Sequence, residues 1–234
     1  MTRFGATLRC DVRLQMRNGF YWAVAFLLAI LLLVITQLPS LDWALVLPPL
    51  ILGNLVTATF FFMAGLVLLE KGEGTLEAQI VTPLTARDYL LSKVATLTGL
   101  SVVEHLFIAL ITVGVAFRPV PLVLGVVLAA ALYCLAAFPA VVRYDSINEL
   151  MFPTMVWVTF FSLPILHYAG LWDSPVMYLH PFQAPLVLLK GAVYPLAQWE
   201  WIYGLGYAAL WIGLGFFWCR RAFQRFVVTA AGTR

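Results

Sequence analysis

The sequence predicts an all-α integral membrane protein: six transmembrane helices, an interfacial helix ahead of them, and short re-entrant or external helices before the sixth. Three observations predict it. Charged residues make up 11% of the 234 positions and hydrophobic ones 63%, whereas a soluble domain carries about 25% charge. Six charge-poor runs have about the ~20 residues that a span requires: 20–38, 43–69, 94–117, 120–142, 150–172 and 201–219. If these runs alternate in direction, twelve of the fourteen Lys and Arg residues fall on one side, and only Arg118 and Lys190 on the other. Lys and Arg bias sets topology, so both termini are expected in the cytoplasm of a multi-pass protein of the cell membrane. The chain, 1–234, reads as one transmembrane domain.

The elements follow in order. Residues 1–19 read as an interfacial helix, because Phe4, Leu8, Val12 and Met16 recur every fourth residue beside a stripe of Arg9, Arg13 and Arg17. Asp11 interrupts this pattern. The first apolar run is too long for a cleavable signal and lacks a small-residue cleavage pattern, so it reads as a retained span. In the second, Pro48-Pro49 is expected at the outer end, since proline is tolerated in the first helical turn.

Residues 70–93 are the long polar interruption. Glu70, Glu73, Glu77 and Asp88 stand there against Lys71, Arg87 and Lys93. Gly72 and Gly74 break the span. Thr75 is placed to cap a short helix from Leu76 to about Val81, with Leu76 and Ile80 on one face and Glu77 off it. Thr82-Pro83 ends that helix, and Thr85-x-x-Asp88 has the spacing of a capping box for the next. Arg118-Pro119-Val120-Pro121 is a tight external turn. Arg143-Tyr144-Asp145-Ser146-Ile147-Asn148-Glu149 is a cytoplasmic loop, which makes Arg143, Asp145 and Glu149 candidates for a secondary cytoplasmic contact. Pro139, Pro153 and Pro164 are expected to kink spans four and five. Residues 172–200 hold four prolines and pieces too short to span, which suits re-entrant or external helices. The tail 220–234 carries Arg220, Arg221 and Arg225, suited to anionic lipid headgroups, so the net charge of +3 calls for no nucleic-acid partner.

This layout, with the segment Glu70-Lys71-Gly72-Glu73-Gly74-Thr75-Leu76-Glu77 and Thr82-Pro83, resembles the permease subunit of a type 2 ATP-binding-cassette exporter, whose coupling-helix region commonly reads E-K-x-x-G-T-L-E followed by proline. The short length and the 143–149 loop look most like permeases for fluoroquinolone or multidrug export. The resemblance implies a separate ATPase subunit that binds ATP and Mg, a second permease subunit (identical or paralogous), and a coupling helix seated in a cleft of the ATPase. The chain itself has no GxxxxGK[ST] phosphate loop, no paired carboxylates or Ser/His/Asp set that reads as catalytic, and no expected cofactor of its own.

Two further groups stand out. Glu104-His105 lies near the middle of span three, where a charged acid costs about 2.5 kcal/mol or more. Glu104 either lines a translocation path or bonds to a neighbouring helix, with His105 a partner in the polar network. His167 and His180, near Asp173, match no metal-ligand spacing, and Cys10, Cys134 and Cys219 lack the CxxC spacing of a zinc site. Phe60, Phe61, Phe62, Trp157, Phe160 and Phe161 offer an apolar path for an amphipathic substrate, or a face for lipid or for the dimer seam. A haem, lipid or polysaccharide exporter is the alternative within transport. An intramembrane enzyme or assembly factor with no ATPase partner is the alternative outside it.

Overall fold

A computed structural model describes residues 3–38, 41–78 and 84–228, and among these no strand occurs. Helix α1 (Arg3–Arg17) meets α2 (Phe20–Thr36) at a 59° bend. Gly19, at φ 75°, supplies the bend, a backbone region that glycine enters without a Cβ clash. At 1.5 Å per residue the 17-residue α2 reaches about 25 Å, short of the ~30 Å hydrocarbon core. Among the described residues five helices are long and apolar enough to cross alone, and six spans result when the bent α1–α2 pair counts as one. Phe4 and Met16 are exposed, and the residues that α1 buries most deeply are Asp11 and Gln15.

The second span starts earlier than its prolines suggest. Asp42 accepts the N–H groups of Ala44 and Leu45 and caps α3 (Trp43–Leu55), so Pro48 and Pro49 sit in its second turn rather than at its outer end. A π-helical turn, Val56–Phe61, joins α3 to α4 (Phe62–Gly72). The whole span, Trp43–Gly72, has 30 residues and is about 45 Å long, so its last turns project beyond the hydrocarbon. Gly74, at φ 68°, then turns the chain into α5 (Thr75–Ala78). Ile80, Thr82 and Pro83 lie outside the described residues.

Thr85 begins α6 (Ala86–Val113) as expected: its Oγ1 accepts the Asp88 N–H at 3.1 Å and donates to the Asp88 carboxylate at 2.8 Å. Helix α7 (Pro119–Val141) is the axis of the bundle and is buried along most of its length. The Tyr133 hydroxyl donates to the Leu52 carbonyl at 3.2 Å, and its ring stacks on Phe182 at 4.2 Å. Helix α8 (Ile147–Tyr168) starts at Ser146, which accepts the Glu149 N–H. Helices α7 and α8 run through Pro139, Pro153 and Pro164 unbroken.

Between α8 and the last span lie a 3-10 turn, Pro175–Leu179, and the eight-residue α9 (Gln183–Lys190). Two glycines seat α9 in the bundle. A Cβ on Gly125 of α7 would lie 2.8 Å from Leu189, and one on Gly204 of the last helix 2.6 Å from Leu188. Small residues permit such close helix approach inside a membrane. Helix α10 (Gln198–Phe223) continues through a π-helical turn, Gln224–Val228. The expected boundary at 219 is thus corrected: Phe223 and Val227 are buried, and their burial carries the helix past Arg220 and Arg221.

Candidate functional site

Most of the conspicuous charge gathers at one end of the bundle, where α1, the α4–α5 turn, the start of α6, the α7–α8 loop and the end of α10 meet. The centre of this end is a buried ionic cluster. Lys93 of α6 is fully buried and donates to Glu70 of α4 at 2.5 Å and to Asp11 of α1 at 2.9 Å. Tyr89 donates to the second oxygen of Glu70 at 2.7 Å, and Ser92 donates to the second oxygen of Asp11 at 2.5 Å. The Lys93 ammonium also lies 4.6 Å from the Tyr89 ring centre. One turn further in, Gln15 donates to Thr96 at 2.8 Å. Two carboxylates thus share one ammonium and two hydroxyls. Buried ions are tolerable when their remaining hydrogen-bonding capacity is met in this way.

The local sequence explains the convergence. Tyr89, Ser92, Lys93 and Thr96 are spaced i, i+3, i+4, i+7 and so occupy one face of α6. Asp11 and Gln15, at i and i+4, are the facing residues of α1. The projecting end of the second span brings Glu70 to the same level. The three elements are therefore joined by ionic bonds rather than by apolar packing alone.

Around this cluster the sequence-predicted residues are distributed unevenly. Glu70 is 2% exposed, so it faces the cluster and not the surface. Lys71 donates to the Val142 and Tyr144 carbonyls at 3.0 and 2.7 Å and pairs with Asp145 at 2.7 Å, tying α4 to the α7–α8 loop. Glu149 accepts the Asp145 N–H, and Arg143 donates to the Pro139 carbonyl. Gly72, Glu73, Gly74 and Thr75 are exposed, with Glu73 pairing loosely to Arg17 at 3.3 Å. Thr75 opens α5, and its hydroxyl donates back to the Glu70 carbonyl at 3.1 Å. Leu76 is buried in the core, with α5 packed on the Gln224–Val228 turn. Its apolar surface is already satisfied within the chain. Glu77 belongs to α5.

In mid-span, Glu104 is buried and accepts from the Asn54 amide of α3 at 2.9 Å. Its second oxygen has no hydrogen-bond partner among the described residues. His105 is not brought to Glu104; its Nδ1–H donates to the Ser101 carbonyl at 2.7 Å. Asn54 lies two residues before the π-helical turn, a feature frequent at functional positions. Of the predicted aromatic path, Phe60 and Phe161 are buried, whereas Phe61 and Phe160 are exposed.

At the opposite end, Lys190 pairs with Glu200 at 3.0 Å and fastens α9 to α10. His167 lies 3.8 Å from Asp173, and His180 accepts the Phe182 N–H. The two histidines therefore face different neighbours. Burial lowers the pKa of His180 to about 4.

Asp11, Gln15, Asn54 and Tyr89 were not singled out from the sequence. A lone acid in an arginine-rich helix and a lysine at the mouth of an apolar run were the signals that could have paired Asp11 with Lys93.

The fluoroquinolones export permease protein family matches residues 2–231 of the chain. Two fluoroquinolones export permease proteins of Mycobacterium tuberculosis, from strains CDC 1551 / Oshkosh and ATCC 25618 / H37Rv, are each 34% identical to it over 243 aligned positions. The alignments cover 99% of this chain and 99% of each relative.

Proposed function

Because the chain belongs to the fluoroquinolones export permease family, we propose that it is the membrane subunit of an ATP-driven exporter in the cell membrane. In this reading both termini are cytoplasmic. A separate nucleotide-binding subunit binds ATP and Mg and contacts the α4–α5 turn. A second permease subunit, identical or paralogous, completes the pathway. The substrate is an amphipathic drug of the fluoroquinolone kind.

One observation carries the reading. The exposed turn Gly72–Glu73–Gly74–Thr75 grows directly from an ionic cluster that binds α1, α4 and α6 together. A push on the turn therefore acts on three helices at once. Lys71 extends the same unit to the α7–α8 loop. A partner that changes shape at this end can move several spans without touching each separately, which is the mechanical requirement of a chain driven by a separate ATPase.

The test is co-expression with an ATPase encoded beside the gene, followed by purification through a tag on this chain. Joint purification, and ATP-dependent uptake of a fluorescent fluoroquinolone by inverted vesicles, are the expected results. If no ATPase associates and ATP changes nothing in the vesicles, the coupling reading fails.

A further inference from the structure

The groove between α7 and α10 changes character along its length. On α10 its wall is Trp211, Leu214, Gly215, Trp218, Arg221 and Arg225, a single helical stripe running from apolar to basic. On α7 the facing residues are Leu132, Leu135, Pro139 and, just past the helix, Arg143. The apolar half is a cavity of about 400 Å³ and the basic half a cleft of about 590 Å³. Trp218 borders both, so the two lie end to end along α7 and α10. Gly215 lets the helices approach: a Cβ there would lie 3.3 Å from Leu135.

Among the described residues no carboxylate lines the basic half. Arg143 donates to the Pro139 carbonyl, Arg221 lies over the Phe217 ring at 5.0 Å, and Arg225 lies over Phe226 at 5.4 Å. No salt bridge links any of the three to a carboxylate among the described residues. Guanidinium groups match phosphate oxygens in geometry as well as charge. The cleft sits where an apolar span gives way to arginines and exposed Phe217 and Trp218, the residue pattern of the headgroup level.

We propose that this groove holds one anionic phospholipid, with its phosphate among Arg143, Arg221 and Arg225 and an acyl chain in the cavity beyond Trp218. The two halves match the two halves of a lipid, in the right order along the membrane normal. A soluble anion would use only the first and a neutral drug only the second. The basic half adjoins α5, which packs on the Gln224–Val228 turn, and the site stands whether or not an ATPase drives the protein.

The experiment reconstitutes the full chain in vesicles containing phosphatidylglycerol or phosphatidylcholine with brominated acyl chains. It reads quenching of tryptophan fluorescence, since Trp157, Trp211 and Trp218 line the cavity. Brominated phosphatidylglycerol is expected to quench more strongly. Arg221→Gln and Arg225→Gln should each weaken that preference about fivefold, the ~1 kcal/mol of one basic residue near an anionic surface. Arg220→Gln, off the stripe, should weaken it less than either. Ala136→Leu should reduce quenching by filling the cavity. Equal quenching by both lipids, or an Arg220→Gln effect as large as that of Arg221→Gln, overturns the proposal. Displacement of the lipid by millimolar inorganic phosphate would assign the arginines to a free anion. Loss of partner-protein binding with the lipid preference intact would assign the face to a protein. Either result overturns it equally.

Discussion

Glu70 and Lys93, 23 residues apart in the chain, meet at 2.5 Å in a fully buried ion pair, and Asp11 reaches the same ammonium from a third helix at 2.9 Å. The pair closes the polar excursion at its base: Glu70 precedes the α4–α5 turn, and Lys93 follows the start of α6. The excursion is held at its root, while Gly72, Glu73, Gly74 and Thr75 are exposed. That division separates residues that fix the helices from residues available to a partner, with Glu70 in the first group and Glu73 in the second.

Removing the shared cation leaves two carboxylates buried without a counter-charge. Breaking a buried pair in this way costs about 3–5 kcal/mol. Lys93→Met should therefore lower thermal stability in detergent sharply, while the triple change Asp11→Asn, Glu70→Gln, Lys93→Met recovers most of it. Thermal unfolding followed by intrinsic fluorescence checks both. A Lys93→Met protein as stable as the parent would mean that the cluster does not hold α1, α4 and α6 together.

The seat of α9 offers a packing test with an internal control. Gly204→Val forces a side chain into the space of Leu188, whose Cγ would lie 2.6 Å from the new Cβ, and overpacking of this kind costs about 1–3 kcal/mol. Gly213, on the same helix, has open space around it. Gly213→Ala should be neutral or stabilising, because alanine favours a helix over glycine by up to ~1 kcal/mol. Equal melting temperatures for the two variants would contradict the close approach.

His180 gives the stability a pH dependence of known sign. Burial holds its pKa at about 4, below the ordinary 6.5, so the folded protein keeps the ring neutral where the unfolded chain already binds a proton. Stability is full above pH 6.5 and falls as pH drops toward 4, by at most ~3 kcal/mol. The ring lies against Phe160 at 4.4 Å, and its Nδ1 accepts the Phe182 N–H. His180→Asn, which keeps an acceptor but does not titrate, should flatten the stability profile between pH 6.5 and 4. An unchanged slope in that variant would move the effect to another group.

How much of this was legible in the sequence depended on the range of the interaction. Thr85 and Asp88 were readable because a capping box is a local pattern of four residues. Gly74 was readable because a turn at positive φ selects glycine. The end of the sixth span was not, because burial of Phe223 and Val227 against the bundle outweighed the arginines before them. Asp11 read as a flaw in an amphipathic stripe because its partners, Lys93 and Ser92, lie more than 80 residues away. Leu76 read only as sharing a face of a short helix with Ile80, because nothing local says that the Gln224–Val228 turn packs on α5.

Glu104 separates structure from transport with one substitution. Its Oε1 accepts from Asn54 at 2.9 Å, and its Oε2 is buried without a hydrogen-bond partner among the described residues. Glu104→Gln keeps an oxygen for Asn54 and alters only the second position, so folding and subunit assembly should survive. If the acid serves transport, its charge or proton is what the glutamine lacks, and drug export should fall about tenfold or more, since one unpaired polar group in hydrocarbon represents several kcal/mol. Asn54→Leu makes the complementary change, removing the donor while the acid stays. It should weaken the α3–α6 contact next to the π-helical turn and lower stability by about 1–3 kcal/mol. Export assayed in vesicles and assembly assayed by size-exclusion chromatography keep the two effects apart. Normal export by a well-assembled Glu104→Gln protein would remove Glu104 from the mechanism and leave it as the helix-to-helix tie that its bond to Asn54 already makes.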